Sequence, residues 1–103
     1  MDWHDVGAAG ERSTARPWLA VEAGTVRVAL ACVGGAWFGV ADACTHAGCA
    51  FSEDADLEGD VIVCNCHGSE FDLRTGAVLR GPADEPVATY PVRLRGGRLE
   101  VQA

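Results

Sequence analysis

The chain has 103 residues, 49% of them hydrophobic and 22% charged, with 15 acidic side chains against 8 basic ones and a net charge of −7. That length and balance describe one small domain, globular rather than disordered, with little stability to spare, so a metal or a crosslink would matter to it. Every basic residue is Arg, and a strongly acidic, Lys-free chain is a poor ligand for nucleic acid or an anionic membrane.

The first residues, Met1 to Val6, show no basic stretch followed by an apolar one, so the expected location is cytoplasmic. No run is long and apolar enough to span a bilayer. Strand signals dominate the rest of the chain, with short β-branched runs punctuated by Gly and no sustained helical period. Val26, Val28, Leu30 and Cys32 alternate along a first strand. Gly34-Gly35 turns it into Ala36-Trp37-Phe38-Gly39-Val40, a hairpin. The alternation places Cys32 on an apolar face as a core residue, and Trp3, Trp18 and Trp37 are expected in the core as well.

Residues 42–83 break this pattern, with Cys, His, Gly and acidic residues crowded together, and they predict a loop cluster inserted into a scaffold of residues 1–41 and 84–103. Inside the insert, Asp60 to Val63 and Glu70 to Leu73 read as short strands. The acidic stretch from Glu53 to Glu58 is expected to be a solvated connection, with a helical turn as the alternative. The chain closes on a second hairpin. Val92 and Leu94 lie on one strand, Gly96-Gly97 at the turn, and Leu99 and Val101 on the return, with Arg93, Arg95, Arg98 and Glu100 outward.

Two patterns in the insert carry chemistry: Cys44-Thr-His46-Ala-Gly-Cys49 and Cys64-Asn-Cys66-His67-Gly-Ser69. Cys44, His46, Cys64 and His67 are the predicted metal ligands, each loop giving one thiolate and one imidazole. A common zinc finger keeps its Cys pair and its His pair in separate segments. A mixed pair on each loop suits a binuclear centre, because both loops can then place Cys on one metal and His on the other. A structural zinc site is the alternative.

Cys-x-His followed by Cys-x-x-His and continuing through Gly68 to Ser69 resembles the Rieske iron-sulfur family. The resemblance implies an all-β fold, an antiparallel β-sandwich with an inserted cluster-binding subdomain, and a Rieske-type 2Fe-2S cluster. Cys44 and Cys64 would hold one iron, and His46 and His67 the other. Two neutral imidazoles in place of thiolates raise the potential into the range of about −150 to +300 mV.

The same resemblance pairs Cys49 with Cys66 in a disulfide, although such bonds are uncommon where thiols are kept reduced. It gives the Ser69 hydroxyl a hydrogen bond toward a cluster sulfur, with a turn-capping Ser as the alternative. High-potential relatives carry Tyr where this chain has Phe71, so a lower potential is expected here. Gly81-Pro82 resembles the family's Pro segment over the cluster, with an ordinary turn as the alternative.

Nothing in the sequence supplies a substrate pocket or an acid-base pair. The expected function is a soluble Rieske-type ferredoxin, an electron-transfer protein rather than an enzyme. It would take one electron from a reductase and pass it to an oxygenase or another terminal oxidoreductase. The alternatives are a small subunit of a larger redox complex, of the nitrite reductase or arsenite oxidase kind, and a non-redox zinc-stabilised interaction module.

Overall fold

A computed structural model describes residues 2–9, 17–46 and 48–103. Strands β1 (Trp3–Ala8), β2 (Trp18–Ala23), β3 (Val26–Val33) and β4 (Ala36–Ala41) come first, followed by the single turn α1 (Phe51–Asp54). Next are β5 (Ala55–Glu58), β6 (Val61–Cys64), β7 (Glu70–Asp72) and β8 (Val78–Arg80). The closing strands are β9 (Thr89–Tyr90), β10 (Val92–Arg95) and β11 (Arg98–Gln102). Among the described residues all pairings are antiparallel and fall into three sheets, ordered β1-β11-β10, β2-β3-β4-β9 and β5-β6-β7-β8.

The β2-β3-β4-β9 sheet is the middle layer, since β3 contributes to two cores. Val28 and Leu30 pack with Leu99 and Val101 of the terminal hairpin, whereas Ala29 and Ala31 pack with Phe51, Ile62, Phe71 and Leu73 of the insert. Successive strand side chains point to opposite faces, so a strand covered on both faces is buried at consecutive positions. That is the pattern of residues 28–31, each 0% exposed.

The middle layer accounts for several departures from the sequence expectations. Cys32 shares the Val28 and Leu30 face, but it sits beside the Gly34-Gly35 turn opposite Trp37 and is only half-buried. Leu94 pairs with the buried Leu99 yet is 53% exposed, because β10 is an edge strand. Trp18 is in the core beneath residues 42–83, but Trp37 is half-buried at the margin of the other core, the one shared with Leu99 and Val101. Trp3 is half-buried on β1, with the Arg93 guanidinium 3.8 Å above its ring, a cation–π contact in place of core packing.

The insert is also more regular than a loop cluster. The acidic stretch expected to be a connection holds the end of α1 and all of β5, with Ala55 buried and Asp56 and Glu58 on the outward face. Trp18 locks this strand to the middle layer through its indole N–H, which donates to the Ala55 carbonyl at 3.0 Å. Among the described residues no helix is long and apolar enough to cross a membrane.

Candidate metal centre

Two loops of similar backbone construction carry the predicted ligands. The first follows β4 and the second follows β6. In the first, the Cys44 carbonyl accepts from the Gly48 N–H at 2.8 Å, and the Cys44 N–H donates to the Cys49 carbonyl at 2.8 Å. In the second, the Cys64 carbonyl accepts from Gly68 at 2.9 Å and the Cys64 N–H donates to Ser69 at 2.8 Å. Each turn closes at a Gly with positive φ, +73° at Gly48 and +81° at Gly68, where a Cβ is strained. The offsets from Cys44 and Cys64 therefore match, and Cys49 and Ser69 occupy equivalent places.

The structure brings the predicted ligands together as two pairs. Cys44 and Cys64 are buried, 3% and 1% exposed, and their side chains lie within hydrogen-bond reach of each other. His46 and His67 are exposed, with ring centroids 4.9 Å apart and planes at 84°. Burial, the largest influence, pushes the Cys64 thiol up, as does neighbouring Cys44, while the N–H groups of Cys66 and His67 donate to it and pull it back. Those donors suit a sulfur that carries negative charge.

Donor atoms on one tetrahedral zinc, with bonds of about 2.0 to 2.3 Å, lie within about 4 Å of one another. Among the described residues no three of these four donor atoms come within 4.8 Å of one another; the one such trio is Cys49, Asp54 and Cys66. Two separated pairs, thiols inside and imidazoles outside, fit a binuclear centre and not a single ion.

The other predicted residues surround this pairing. Cys49 and Cys66 form a disulfide with an S–S distance of 2.09 Å and join the two loops directly. Ser69 is fully buried, and its hydroxyl oxygen accepts from the Ala83 N–H at 3.0 Å. Its own proton has no protein acceptor among the described residues, and so is available to a sulfur of the centre. Phe71 is fully buried on β7, edge-on to Phe51 with centroids 5.6 Å apart. Pro82 is exposed, but its segment is tied to both loops, by Ala83 to Ser69 and by the Thr45 hydroxyl, which donates to the Glu85 carbonyl at 2.7 Å.

Sequence reasoning missed Asp42, whose side chain is 0% exposed two residues before Cys44. It accepts from the Ser52 N–H at 2.8 Å, the Ser52 hydroxyl at 2.5 Å and Arg27 Nε at 2.9 Å. Burial alone would raise its pKa, but the Ser52 bonds and the Arg27 guanidinium outweigh this and hold the carboxyl below its ordinary value. Asp42 thereby clamps the first loop to α1 and the middle layer.

Residues 2–91 match the family described as the Rieske [2Fe-2S] domain. The chain belongs to that family. Its cofactor is accordingly a Rieske-type 2Fe-2S cluster, as the sequence resemblance implied. The chain is 35% identical over 100 residues to the anthranilate 1,2-dioxygenase ferredoxin subunit of Burkholderia cepacia, covering 97% of this chain and 91% of that one. It is 36% identical over 74 residues to the p-cumate 2,3-dioxygenase system ferredoxin component of Pseudomonas putida, covering 72% of this chain. The match spans 63% of that relative's length, less than two thirds. Among solved structures, a chain from the complex of reduced oxygenase and oxidized ferredoxin in carbazole 1,9a-dioxygenase superposes with a TM-score of 0.84. It is 31% identical, with 96% of this chain and 91% of that one covered.

Two substitutions should move the Rieske centre's midpoint in opposite directions. If the Ser69 hydroxyl donates to a cluster sulfur as proposed, Ser69→Ala removes one donor to the reduced, more negative state; a difference of about 1 kcal/mol corresponds to a fall of roughly 40 mV for one electron. Phe71→Tyr adds a hydroxyl and should raise the midpoint by a similar amount. Protein-film voltammetry on the holoproteins checks both, and an unchanged midpoint in either variant contradicts the role given to that position.

Proposed function

We propose that this protein is a soluble, cytoplasmic one-electron carrier, not a catalyst, which takes electrons from a reductase and delivers them to an oxygenase. Cys44 and Cys64 hold the buried iron and His46 and His67 the outer one. Residues 42–83 serve as the cluster-binding part of a single Rieske domain, and residues 1–41 and 84–103 as its scaffold. When bound, the cluster supplies a one-electron couple of moderate potential. The observation that carries the proposal is the exposed His46 and His67 pair above the buried Cys44 and Cys64.

The chain's own residues do the rest. The imidazole edges offer a short route outward, the buried thiols and Phe71 keep water from the inner side, and the disulfide and Asp42 hold both loops in place. The Burkholderia and Pseudomonas relatives are ferredoxin components of dioxygenase systems, which supports an oxygenase as acceptor. A net charge of −7 suits a partner with a basic docking face.

Stopped-flow spectroscopy tests this with reduced holoprotein mixed against a ring-hydroxylating oxygenase. Oxidation should be fast and saturable, and its second-order rate should fall at least several-fold between about 20 and 200 mM salt. Oxidation by the oxygenase no faster than by buffer would remove the proposal. The Cys49–Cys66 disulfide favours a second reading, a small subunit of a larger redox complex. Stable co-purification with a large subunit would establish that one.

A further inference from the structure

Asp54 has no part in the ligand set or the loop clamps, yet one of its carboxylate oxygens lies within 4.8 Å of both disulfide sulfurs, Cys49 Sγ and Cys66 Sγ. Its position is fixed by backbone bonds on either side. The Asp54 N–H donates to the Ala50 carbonyl at 2.9 Å, and the Asp54 carbonyl accepts from the Asn65 N–H at 2.7 Å. The residue is exposed, and among the described residues no Arg pairs with its carboxylate; the five ion pairs there use Asp5, Asp42, Asp60, Glu70 and Glu100. A free negative charge is thus held over a half-exposed disulfide.

We propose that Asp54 is an electrostatic guard of the Cys49–Cys66 disulfide, slowing its reduction by small anionic thiols and so keeping the two loops of the metal centre joined in a reducing compartment. Reduction proceeds by attack of a thiolate on one sulfur. The Cys49–Cys66 bond breaks as a mixed disulfide forms, and the displaced Cys thiolate takes up a proton. A second thiolate then attacks the mixed disulfide and releases the oxidised small thiol, so that two thiols supply the two electrons and the second Cys is freed. Both attackers are anions approaching to within a few ångströms of the Asp54 carboxylate. At an effective dielectric between that of a protein surface and that of water, a singly charged attacker is slowed by about 3- to 10-fold at low salt.

The dependence on attacker charge separates this guard from a merely structural role. With the holoprotein, second-order rates of disulfide reduction are measured by thiol alkylation and mass spectrometry. The attackers are 2-mercaptoethanesulfonate, 2-mercaptoethanol and cysteamine, with each rate corrected for its thiolate fraction. Asp54→Asn should accelerate the doubly charged sulfonate thiolate most, mercaptoethanol by about 3- to 10-fold, and zwitterionic cysteamine least. The spread should collapse at high salt. Asp54→Glu, which keeps the charge, should stay slow, and Asp56→Asn, whose carboxylate bonds the Asn65 amide at 3.1 Å, should change little. Equal acceleration of all three thiols, no acceleration, an Asp56→Asn effect as large, or free Cys49 and Cys66 thiols before reductant is added would each overturn the proposal.

Discussion

Cys64→Ala should yield a protein that is colourless as purified, lacks the Rieske electron-spin resonance signal and holds almost no iron. Cys64 is the last residue of β6 and is 1% exposed, so if it holds iron as proposed, no water or neighbouring side chain can take over that bond. The N–H groups of Cys66 and His67 that point at its sulfur would face a methyl group instead. Because a metal site of this kind is assembled only in the folded chain, metal binding energy counts as folding energy. A chain of 103 residues has little to spare. The variant should therefore also unfold at a markedly lower temperature, and much of it should be lost to proteolysis. Cys32→Ser is the matched control, a half-buried thiol on β3 away from both loops, and it should keep full iron content and colour. Iron and labile sulfide analysis of the two proteins decides the matter. Retention of iron by Cys64→Ala, or equal loss in Cys32→Ser, would refute the ligand assignment.

The candidate ligand set stood out in the sequence because metal chemistry demands particular residue types at particular spacings, and we propose Cys44-x-His46 with Cys64-x-x-His67 as that set. The features the sequence hid depend on neighbours distant in the chain. Asp42 is one of 15 acidic residues. It becomes a buried clamp only because Ser52 and Arg27 arrive from 10 and 15 positions away. Strand β5 was hidden by its own alternation: Ala55 faces inward while Asp56 and Glu58 face water, so the stretch read as solvated.

Cys32 and Leu94 failed for a related reason. Period-2 alternation tells which residues share a face but not how far the covering layer extends over it. The hairpins themselves were legible at Gly34-Gly35 and Gly96-Gly97, where local turn chemistry is sufficient.

Gly76→Ala should be the most damaging single substitution outside the proposed metal ligands. Gly76 has φ +78° and sits in the turn between β7 and β8, with its N–H donating to the Asp72 carbonyl at 2.7 Å. Its carbonyl accepts from the Val87 N–H at 2.9 Å, which ties the insert to the segment entering β9. A Cβ on Gly76 would overlap the Val87 carbonyl oxygen, and backbone cannot rotate aside as a side chain can. The left-handed conformation costs an Ala about 1 to 2 kcal/mol, and forcing the two segments apart adds about 1 to 3 kcal/mol. A loss of about 3 kcal/mol lowers the melting temperature of a domain this size by at least about 12 °C. Gly97→Ala isolates the conformational part, since Gly97 has the same φ of +78° but nothing within 4 Å of its added Cβ. It should cost only the first of those two increments. Calorimetry on the two holoproteins should show Gly76→Ala melting well below Gly97→Ala. Equal melting points would mean that the Val87 contact is not what joins the metal-bearing insert to its scaffold.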